Sequence, residues 1–297
     1  CLERLVHDAS RRGGCRAWGL QLDIASFFPS VHKPTLVRLL GSRFSRAERG
    51  EPLFGLIRTI VEHDSTRGAR RCGRLDWFDR VPLHKRLGSQ GPNRGLPIGN
   101  LTSQFFAGIY LASLDHFVQR TIGIGSYVRY MDDLVLVDTD PARLGEAHAR
   151  IEDFLSTRLL LSLRATSRLE PVSEGIDFLG YVVRPTYSLV RNRVFANLRR
   201  RSSEIETSLA PTQLGAGQTL EIPGVGQLSG PCVVQTVDPR AIERARSVWA
   251  SFAGHLAHGR GRRLLLRCWA AVPATRRLLT MDERGCRVHR RFALPAL

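Results

Sequence analysis

Two adjacent carboxylates between two β-prone segments constrain this chain more than any other feature of its sequence. Asp132 and Asp133 follow Tyr127-Val128-Arg129-Tyr130-Met131 and precede the apolar run Leu134-Val135-Leu136-Val137. Short strands on either side of such a pair predict a tight β-hairpin with Asp-Asp at its turn. Aspartate is also common at exposed turns, so the hairpin alone does not indicate a function.

A third aspartate suggests a chemistry for the hairpin. Asp23 lies near the C-terminal end of another predicted strand, Trp18 to Ile24, which ends before Pro29. If this strand lies beside the hairpin, Asp23 and Asp132 converge at one edge of a sheet. Clustered carboxylates repel one another unless a cation lies between them.

Magnesium ions suit such a cluster. Mg²⁺ binds few protein carboxylates and completes its shell with water and phosphate oxygens. Two such ions can activate an attacking hydroxyl and stabilise the leaving pyrophosphate oxygen of an in-line phosphoryl transfer. We therefore expect Asp23, Asp132 and Asp133 to be catalytic and to bind two Mg²⁺ ions, with Mn²⁺ as an alternative.

The charge balance predicts a polyanionic partner. The 297 residues include 44 Lys and Arg against 27 Asp and Glu, which gives a formal net charge of +17. Ribosomal, chromatin-like and membrane-surface proteins share such an excess, but here the arginines are spread along the whole chain. Arginine suits phosphate forks and base stacking better than lysine does, although a GC-rich coding sequence also enriches it. Binding to a polyanion should weaken steeply with salt.

Membrane and cysteine-based classes are not indicated. No apolar run approaches the length of a membrane span, and the N-terminal segment has no signal-peptide pattern. The six cysteines are scattered without a C-x-x-C pair, which predicts neither a zinc site nor a disulfide framework. The sequence therefore predicts a cytoplasmic protein without a membrane partner.

Hydrophobic periodicity predicts alternating strands and amphipathic helices, and hence an α+β fold. The predicted helices are Leu2 to Arg12, Pro34 to Phe44, Leu53 to Glu62, Asn100 to Arg120 and Ala142 to Thr157. Six apolar residues of the fourth helix recur at helical spacing and should belong to the core: Phe105, Phe106, Ile109, Tyr110, Leu114 and Phe117. Residues 64–94 form a basic, turn-rich connection that either follows a nucleic-acid backbone or is a solvated insertion.

The C-terminal third predicts irregular structure followed by helices. Residues 209–239 are rich in Gly, Pro, Gln, Thr and Val without a helical period, which predicts a loop or a small insertion. Pro239 to His258 and Arg260 to Ala271 predict two basic helices. The segment Arg284 to Arg291 predicts an end that contacts nucleic acid or is disordered.

Four segments in this order resemble the motifs of reverse transcriptases. Leu22 to Phe28 resembles the first palm motif, Gly95 to Gln104 the template-and-nucleotide motif, Tyr130 to Asp133 the catalytic hairpin, and Gly175 to Tyr181 the primer-grip segment. The resemblance implies an RNA-directed DNA polymerase that makes cDNA by two-metal nucleotidyl transfer. It also implies a polymerase right-hand fold, in which an antiparallel palm sheet backed by helices precedes a helical thumb. Its implied partners are template RNA, primer and cDNA, and deoxynucleoside triphosphates.

The template-and-nucleotide motif indicates a subtype. It has Ile98 before Gly99 and ends in Ser103-Gln104, whereas most group II intron, retron and retroviral enzymes have Gln before the glycine and end in Ser-Pro. The form present here resembles the enzymes of diversity-generating retroelements, which copy a template RNA with errors at adenines and have a basic accessory protein. Ile98 can pack against a nucleotide but cannot hydrogen-bond to it, which should lower discrimination. The alternative for Ile98 is a core position before a helix.

The resemblance also implies roles for individual residues. Phe28 matches the aromatic residue under the nucleotide sugar, Phe27 is expected in the core, and the backbone N–H groups of residues 24–27 are expected to cradle the triphosphate. The implied residues are Asp23, Ile24, Asp132 and Asp133 for metal; Ile24, Ala25, Ser26, Phe27, Phe28, Ile98, Gly99 and Gln104 for substrate; Phe178, Leu179, Gly180 and Tyr181 for the primer grip; and Arg94, Arg129, Arg164, Arg168, His255 and Arg260 for nucleic acid.

The chain departs from the family pattern in two places. The fourth palm motif usually has a lysine, whereas Thr166 lies near that place here, and the neighbouring Arg164 and Arg168 are poor proton donors. Only a short segment precedes the Asp23 strand, so we expect truncated fingers. The expected domains are a palm with partial fingers over residues 1–195, a thumb over 196–272 that contains the 209–239 insertion, and a basic tail over 273–297.

These departures leave alternatives open. Within the enzyme class, the alternative is a reverse transcriptase of the retron, abortive-infection or group II intron type. Outside it, the alternative is a catalytically inactive fragment that binds nucleic acid. For either type of enzyme the resemblance implies a bacterial or phage-encoded protein.

Overall fold

The protein is described by a computed structural model for residues 2–12, 17–68, 78–87, 89–222, 226–234, 238–257, 261–282 and 287–290. It divides into two compact units, Cys1–Ile176 and Asp177–Leu297. Both units consist of helices and antiparallel strands, which confirms the predicted α+β class. The predicted palm and thumb boundaries at residues 195 and 272 stay a prediction.

The first unit contains the predicted helices and a four-stranded sheet. Its helices are α1 (Leu2–Arg12), α2 (Phe27–Ser30), α3 (Lys33–Gly41), α4 (Pro52–Glu62), α5 (Leu101–His116) and α6 (Pro141–Arg158). Its strands are β1 (Trp18–Asp23), β2 (Tyr127–Tyr130), β3 (Asp133–Asp138) and β4 (Arg168–Pro171). Short 3-10 turns lie at Glu48–Gly50, Leu83–Lys85 and Val172–Glu174, and α5 continues as a π-helical segment over Phe117–Ile122.

The sheet of the first unit has the strand order β2-β3-β1-β4, and its paired strands are antiparallel. In the register of β1 and β3, Leu20 lies opposite Leu136 and Leu22 opposite Leu134. Residues directly opposite share a face and successive residues alternate between faces. These leucines therefore point into the core formed with α5 and α6, and Asp23 lies on the other face.

One core prediction for α5 is wrong. Phe106, Tyr110 and Leu114 are buried, but the Phe105 side chain is 64% exposed. The buried stripe of α5 runs along residues spaced three or four apart, and Phe105 lies about 100° around the helix from Phe106. Phe105 therefore faces away from the core.

In its described residues, the second unit contains four helices and several small sheets. Its helices are α7 (Asn192–Ser208), α8 (Pro239–Ala257), α9 (Arg262–Ala270) and α10 (Pro273–Leu278). Its strands are β5 (Ile176–Phe178), which begins at the unit boundary, β6 (Tyr181–Val183), β7 (Ser188–Val190), β8 (Thr212–Leu214), β9 (Thr219–Ile222), β10 (Gly226–Ser229), β11 (Cys232–Val234), β12 (Leu279–Met281) and β13 (Val288–Arg290). Trp249 of α8 is fully buried in the core of the second unit, and its ring packs edge to face against Trp269.

The segment 209–239, predicted as a loop or a small insertion, contains short strands. In this segment β8 pairs with β11 and β9 with β10, which gives two antiparallel two-stranded sheets. Its place as an insertion in a thumb stays a prediction. Strands of three or four residues are too short for periodicity to reveal them. The segment 273–297 is likewise ordered where it is described, because Leu279 of β12 and Val288 of β13 are buried in the second core. None of the helices that the structure describes is long and apolar enough to cross a membrane.

Candidate active site

Four segments of the first unit meet around Asp23 through backbone hydrogen bonds. The N–H of Ile24 donates to the carbonyl of Asp132 (3.1 Å), and the N–H of Arg164 donates to the carbonyl of Asp23 (2.7 Å). On the other side, the N–H of Leu96 donates to the carbonyl of Phe28 (2.9 Å). The first palm-like motif therefore contacts the hairpin, the fourth-motif segment and the start of the template-and-nucleotide motif.

The hairpin differs in detail from its prediction. Tyr130 pairs with Asp133, so the two-residue turn is Met131-Asp132 and Asp133 is the first residue of β3. Met131 adopts a positive φ of 54°, as the first position of such turns requires. Asp133 also lies opposite Asp23 in the register of β1 and β3. Only one of the two adjacent aspartates is therefore at the turn, and the other faces Asp23 across the strands.

Asp23 has one paired and one unpaired carboxylate oxygen. Its Oδ2 lies 2.8 Å from Nη1 of Arg164. Its Oδ1 is buried and has no hydrogen-bond partner among the described residues. Burial raises the pKa of the Asp23 carboxyl, the nearby Asp132 raises it further, and Arg164 and Lys85 oppose the rise. The negative charge of ionised Asp23 is therefore only partly balanced by positively charged groups of the protein.

This arrangement fits a hard cation at Asp23 and Asp132. A buried, unpartnered carboxylate oxygen next to a second carboxylate gains from a positive charge, and Mg²⁺ needs only one or two protein carboxylates. Within the described ranges, no group of three or more His, Cys, Asp or Glu side chains is arranged to hold a metal ion. The three-carboxylate site and the role of Ile24, whose side chain is buried in the core, stay predictions.

The predicted phosphate cradle is only partly available. The N–H of Ile24 donates to Asp132 and the N–H of Ala25 donates to the carbonyl of Ser162 (2.8 Å), so neither is free for a phosphate. Ser26 adopts the left-handed conformation at the start of α2. The N–H groups of Phe27 and Phe28 lie in the first turn, where helices have no internal acceptor. The cradle is therefore reduced to the part that begins at Ser26.

Of the two adjacent phenylalanines, Phe27 takes its predicted position in the core. Phe27 is 1% exposed and belongs to the core, as predicted. Phe28 is half-buried and meets Phe27 edge to face at a ring distance of 5.4 Å. Contact of Phe28 with a nucleotide sugar stays a prediction.

The template-and-nucleotide motif presents apolar residues to solvent. Ile98 is 76% exposed, so the alternative of a core position is wrong. Gly99 has a φ of 103°, which favours glycine, and Gln104 is exposed in the first turn of α5. Leu101, which the sequence pattern did not indicate, is 82% exposed. Leu101 and Phe105 lie four residues apart on one face of α5, whereas Ile98 precedes the helix. Apolar residues at this spacing usually indicate a buried face, so periodicity alone would not have revealed their exposure.

Two arginines predicted to contact nucleic acid form hydrogen bonds within the protein. Nη1 of Arg94 donates to the carbonyls of Ser30 (2.8 Å) and Leu160 (3.0 Å). Arg129 donates from Nε and Nη2 to both oxygens of Asp115 (2.7 and 2.6 Å) and from Nη1 to the carbonyl of Met131 (3.1 Å). These guanidiniums support loops and the hairpin, and contact of Arg94 and Arg129 with nucleic acid stays a prediction.

Asp115 supports the candidate site, and sequence reasoning did not identify it. It accepts the Tyr127 hydroxyl (2.8 Å) as well as the two Arg129 bonds. Burial, together with Asp115, raises the pKa of Tyr127 far above its usual range. Since Arg129 also holds the carbonyl of Met131, this cluster ties α5 to the turn that carries Asp132. No local sequence pattern joins residues so far apart in the chain.

The remaining predicted nucleic-acid residues are placed as follows. Arg164 pairs with Asp23, and Arg168 is exposed on the edge strand β4. Arg260 lies outside the described residues. His255 belongs to the second unit and stacks on Tyr181.

The primer-grip segment forms a tight hairpin in the second unit. Leu179 and Gly180 occupy the turn between β5 and β6 with φ values of 51° and 86°, the pattern of a type I′ turn. The rings of Tyr181 and His255 stack at 4.7 Å, and the Tyr181 hydroxyl donates to the carbonyl of His255 (2.6 Å). Nε2 of His255 is buried without a hydrogen-bond partner among the described residues. The hairpin is thereby fixed to α8, while contact with a primer stays a prediction.

Comparisons with known proteins add little to this geometry. No family model matches the chain, and no curated protein matches it. Among solved structures it is similar to telomerase from Candida albicans in complex with a TWJ fragment of telomeric RNA, with 13% sequence identity and a TM-score of 0.43. The match covers 91% of this chain and 44% of that chain, so this chain spans less than half the length of that protein. A similarity this distant carries no argument about function.

Proposed function

We propose that the chain is a template-dependent nucleotidyl transferase of the reverse transcriptase type, which extends a primer 3′-hydroxyl with deoxynucleoside triphosphates. The observation that carries the proposal is the convergence near Asp23 of three segments that resemble reverse transcriptase motifs (the first palm motif, the template-and-nucleotide motif and the catalytic hairpin), together with the Arg164 segment at the place of the fourth palm motif. Backbone hydrogen bonds join them, from Ile24 to Asp132, Arg164 to Asp23 and Leu96 to Phe28. We do not expect an unrelated α+β protein to bring these segments together around a carboxylate whose negative charge is only partly balanced.

Each residue of the site has a role in this proposal. Asp23 and Asp132, with Asp133 across the strands, hold Mg²⁺, which when bound activates the primer hydroxyl and stabilises the leaving pyrophosphate. Phe28 restricts the sugar position and so favours deoxynucleotides. Ser26 and the free amides after it meet the triphosphate at the start of α2. Arg164 offers a cation beside Asp23.

The finer part of the proposal concerns the subtype. The exposed Ile98 and the following Ser103-Gln104 sequence support an error-prone enzyme of a diversity-generating retroelement, which copies template RNA into cDNA and works with a basic accessory protein. An apolar side chain next to a nucleotide contributes packing without hydrogen-bond selection. Reverse transcriptases of the retron, abortive-infection or group II intron type are the competing assignment, and misincorporation opposite template adenines separates the two.

Primer extension on an RNA template with Mg²⁺ tests the activity. The variants Asp23→Asn and Asp132→Asn should each lose at least about 100-fold in rate, since each removes a preorganised charge from the site. Asp153→Asn is the matched control, because Asp153 is an exposed aspartate of α6 and its loss should leave the rate unchanged. Equal rates in all four proteins would rule out the assignment of the site.

A second candidate is a nucleic-acid-binding protein without catalysis. The net charge of +17 and the ion pair that occupies Asp23 both favour it. It predicts tight, salt-sensitive binding of primer–template by the unaltered chain, with no extension at any Mg²⁺ or Mn²⁺ concentration.

A further inference from the structure

The second unit contains a cavity of about 870 Å³ between α7, α9 and the start of α10. This volume lies in the range of pockets that bind small organic molecules, about 300–1,000 Å³. Part of its wall is apolar, with Phe195 from α7, Leu264 from α9 and Val272 before α10. All of these elements belong to one compact unit, so the cavity does not depend on how the two units are arranged.

Two cations line this cavity. Arg199 of α7 and Arg267 of α9 both line it, and neither guanidinium makes an ion pair or hydrogen bond in the part of the chain that the structure describes. Both act on the same group, the half-buried thiol of Cys268. Burial raises the pKa of that thiol, and the two arginines oppose the rise. The cavity therefore carries positive charge on both α7 and α9.

The other polar groups of the cavity wall are also compatible with a bound anion. Ser202 is 5% exposed, and its hydroxyl has no hydrogen-bond partner among the described residues. Glu206, the acidic residue of the wall, is already bound to the N-terminal end of α10, where it accepts from Ala274 N (2.5 Å), Thr275 N (3.0 Å) and Thr275 Oγ1 (2.8 Å). A buried hydroxyl without a partner is costly in a folded protein unless a ligand or water supplies one.

We propose that this cavity binds a small organic anion, with its phosphate or carboxylate between Arg199 and Arg267 and its flat apolar body against Phe195 and Leu264. Ser202 provides a hydrogen bond to the anionic group. Two arginines without an ion-pair partner among the described residues favour a doubly charged or bidentate anion, because a guanidinium donates two parallel bonds to phosphate or carboxylate. This site is independent of the aspartates of the first unit and of the function proposed for them.

Fluorescence titration of the full chain with 1-anilinonaphthalene-8-sulfonate tests the proposal, because this probe joins an anionic group to a flat apolar body. The double variant Arg199→Gln, Arg267→Gln should weaken binding about 10-fold or more, since it removes two charge-assisted contacts. The matched control is Arg201→Gln, Arg263→Gln, which removes the same charge from α7 and α9 outside the cavity. Ala196→Trp, which fills the cavity and keeps its charges, should also abolish binding.

Protection of Cys268 locates the ligand. Alkylation of this cysteine, measured on its peptide by mass spectrometry, should slow when the probe is bound in the unaltered chain and not in Ala196→Trp. Competition then identifies the source of the anion. Displacement of the probe by thymidine monophosphate supports a nucleotide, and displacement by indole-3-acetate supports an aromatic carboxylate.

Two outcomes would overturn the proposal. One is an equal loss of affinity in the site variant and in the control, because the arginines would then act only through net charge. The other is displacement by a short single-stranded oligonucleotide and by neither small anion, because the surface would then belong to a nucleic acid. Thermal melting of each variant, followed by circular dichroism, shows whether the variant is folded, so that a folding defect is not mistaken for either outcome.

Discussion

At the scale of single residues, the contact between Arg164 and Asp23 connects stability with the proposed chemistry. The pair is partly exposed, with 44% and 27% of the two side chains accessible. Such pairs contribute only about 0.2–1 kcal/mol. Arg164 is therefore a weak counter-ion that satisfies one oxygen of Asp23 and leaves Oδ1 unpaired. A divalent cation at Asp23 has to compete with this guanidinium or displace it.

Removal of Arg164 should therefore tighten cation binding. We expect Arg164→Gln to lower the Kd for Mn²⁺, measured by electron paramagnetic resonance, by about 2–5-fold, the equivalent of the pair's free energy. Arg168→Gln is the control, because Arg168 is an exposed residue of β4 and its loss changes the net charge equally. Weaker binding in Arg164→Gln would mean that the arginine orients Asp23 instead of competing with the cation.

The cluster around Asp115 leads to a second prediction for single residues. Asp115→Ala leaves Arg129, whose side chain is 14% exposed, without its carboxylate, and it removes the acceptor of the Tyr127 hydroxyl. Breaking a partly buried pair of this kind should cost about 2–4 kcal/mol of unfolding free energy in urea. Hydrogen–deuterium exchange should increase in residues 127–137 more than in α3. If Asp115→Ala and Arg129→Met had strictly additive effects, the pair would not act as a unit.

At the scale of elements, the sequence predicted what depends on local periodicity and missed what depends on distant contacts. The strand with Asp23, the hairpin and the long helix α5 were predictable because each repeats an apolar pattern over several residues. The short strands β8 to β11 were not, because three or four residues carry too little pattern. The ion pair between Arg129 and Asp115 was not predictable either, because it forms only when β2 packs against α5.

The primer-grip hairpin gives a prediction at this scale. Gly180 has a φ of 86°, and an added Cβ would lie 3.0 Å from the His255 ring. Gly217 has a similar φ of 79°, but an added Cβ there would meet nothing within 4 Å. In both alanine variants, backbone strain should lower the free energy of unfolding by about 1 kcal/mol. Gly180→Ala should lose more, since the stacked His255 must move.

Thermal unfolding of the two glycine variants measures this difference. A lower melting temperature for Gly180→Ala than for Gly217→Ala is expected, together with faster exchange of the backbone around Tyr181. Equal melting temperatures would show that His255 moves without cost and that its stacking on Tyr181 does not fix the hairpin.

At the scale of the whole molecule, the excess of positive charge lies outside the ion pairs. Each arginine–carboxylate pair, such as Arg143 with Asp138 or Arg246 with Glu243, removes one charge of each sign. The formal excess of +17 is therefore carried by basic residues without an acidic partner. An excess of this size opposes compaction by self-repulsion and favours association with polyanions.

Salt dependence should separate the unpaired arginines from the paired ones. If the chain neutralises roughly five to eight phosphates, the logarithm of the binding constant for primer–template should fall with the logarithm of salt at a slope of about −4 to −7. Arg168→Gln should reduce the steepness by about one, because an exposed arginine on a phosphate releases one counter-ion. Arg129→Gln should leave the slope unchanged even if it lowers affinity, since its guanidinium is bound to Asp115 and Met131. A slope shallower than about −2 for the unaltered chain would mean that few of its charges meet phosphates, and the excess would then need an explanation other than nucleic acid.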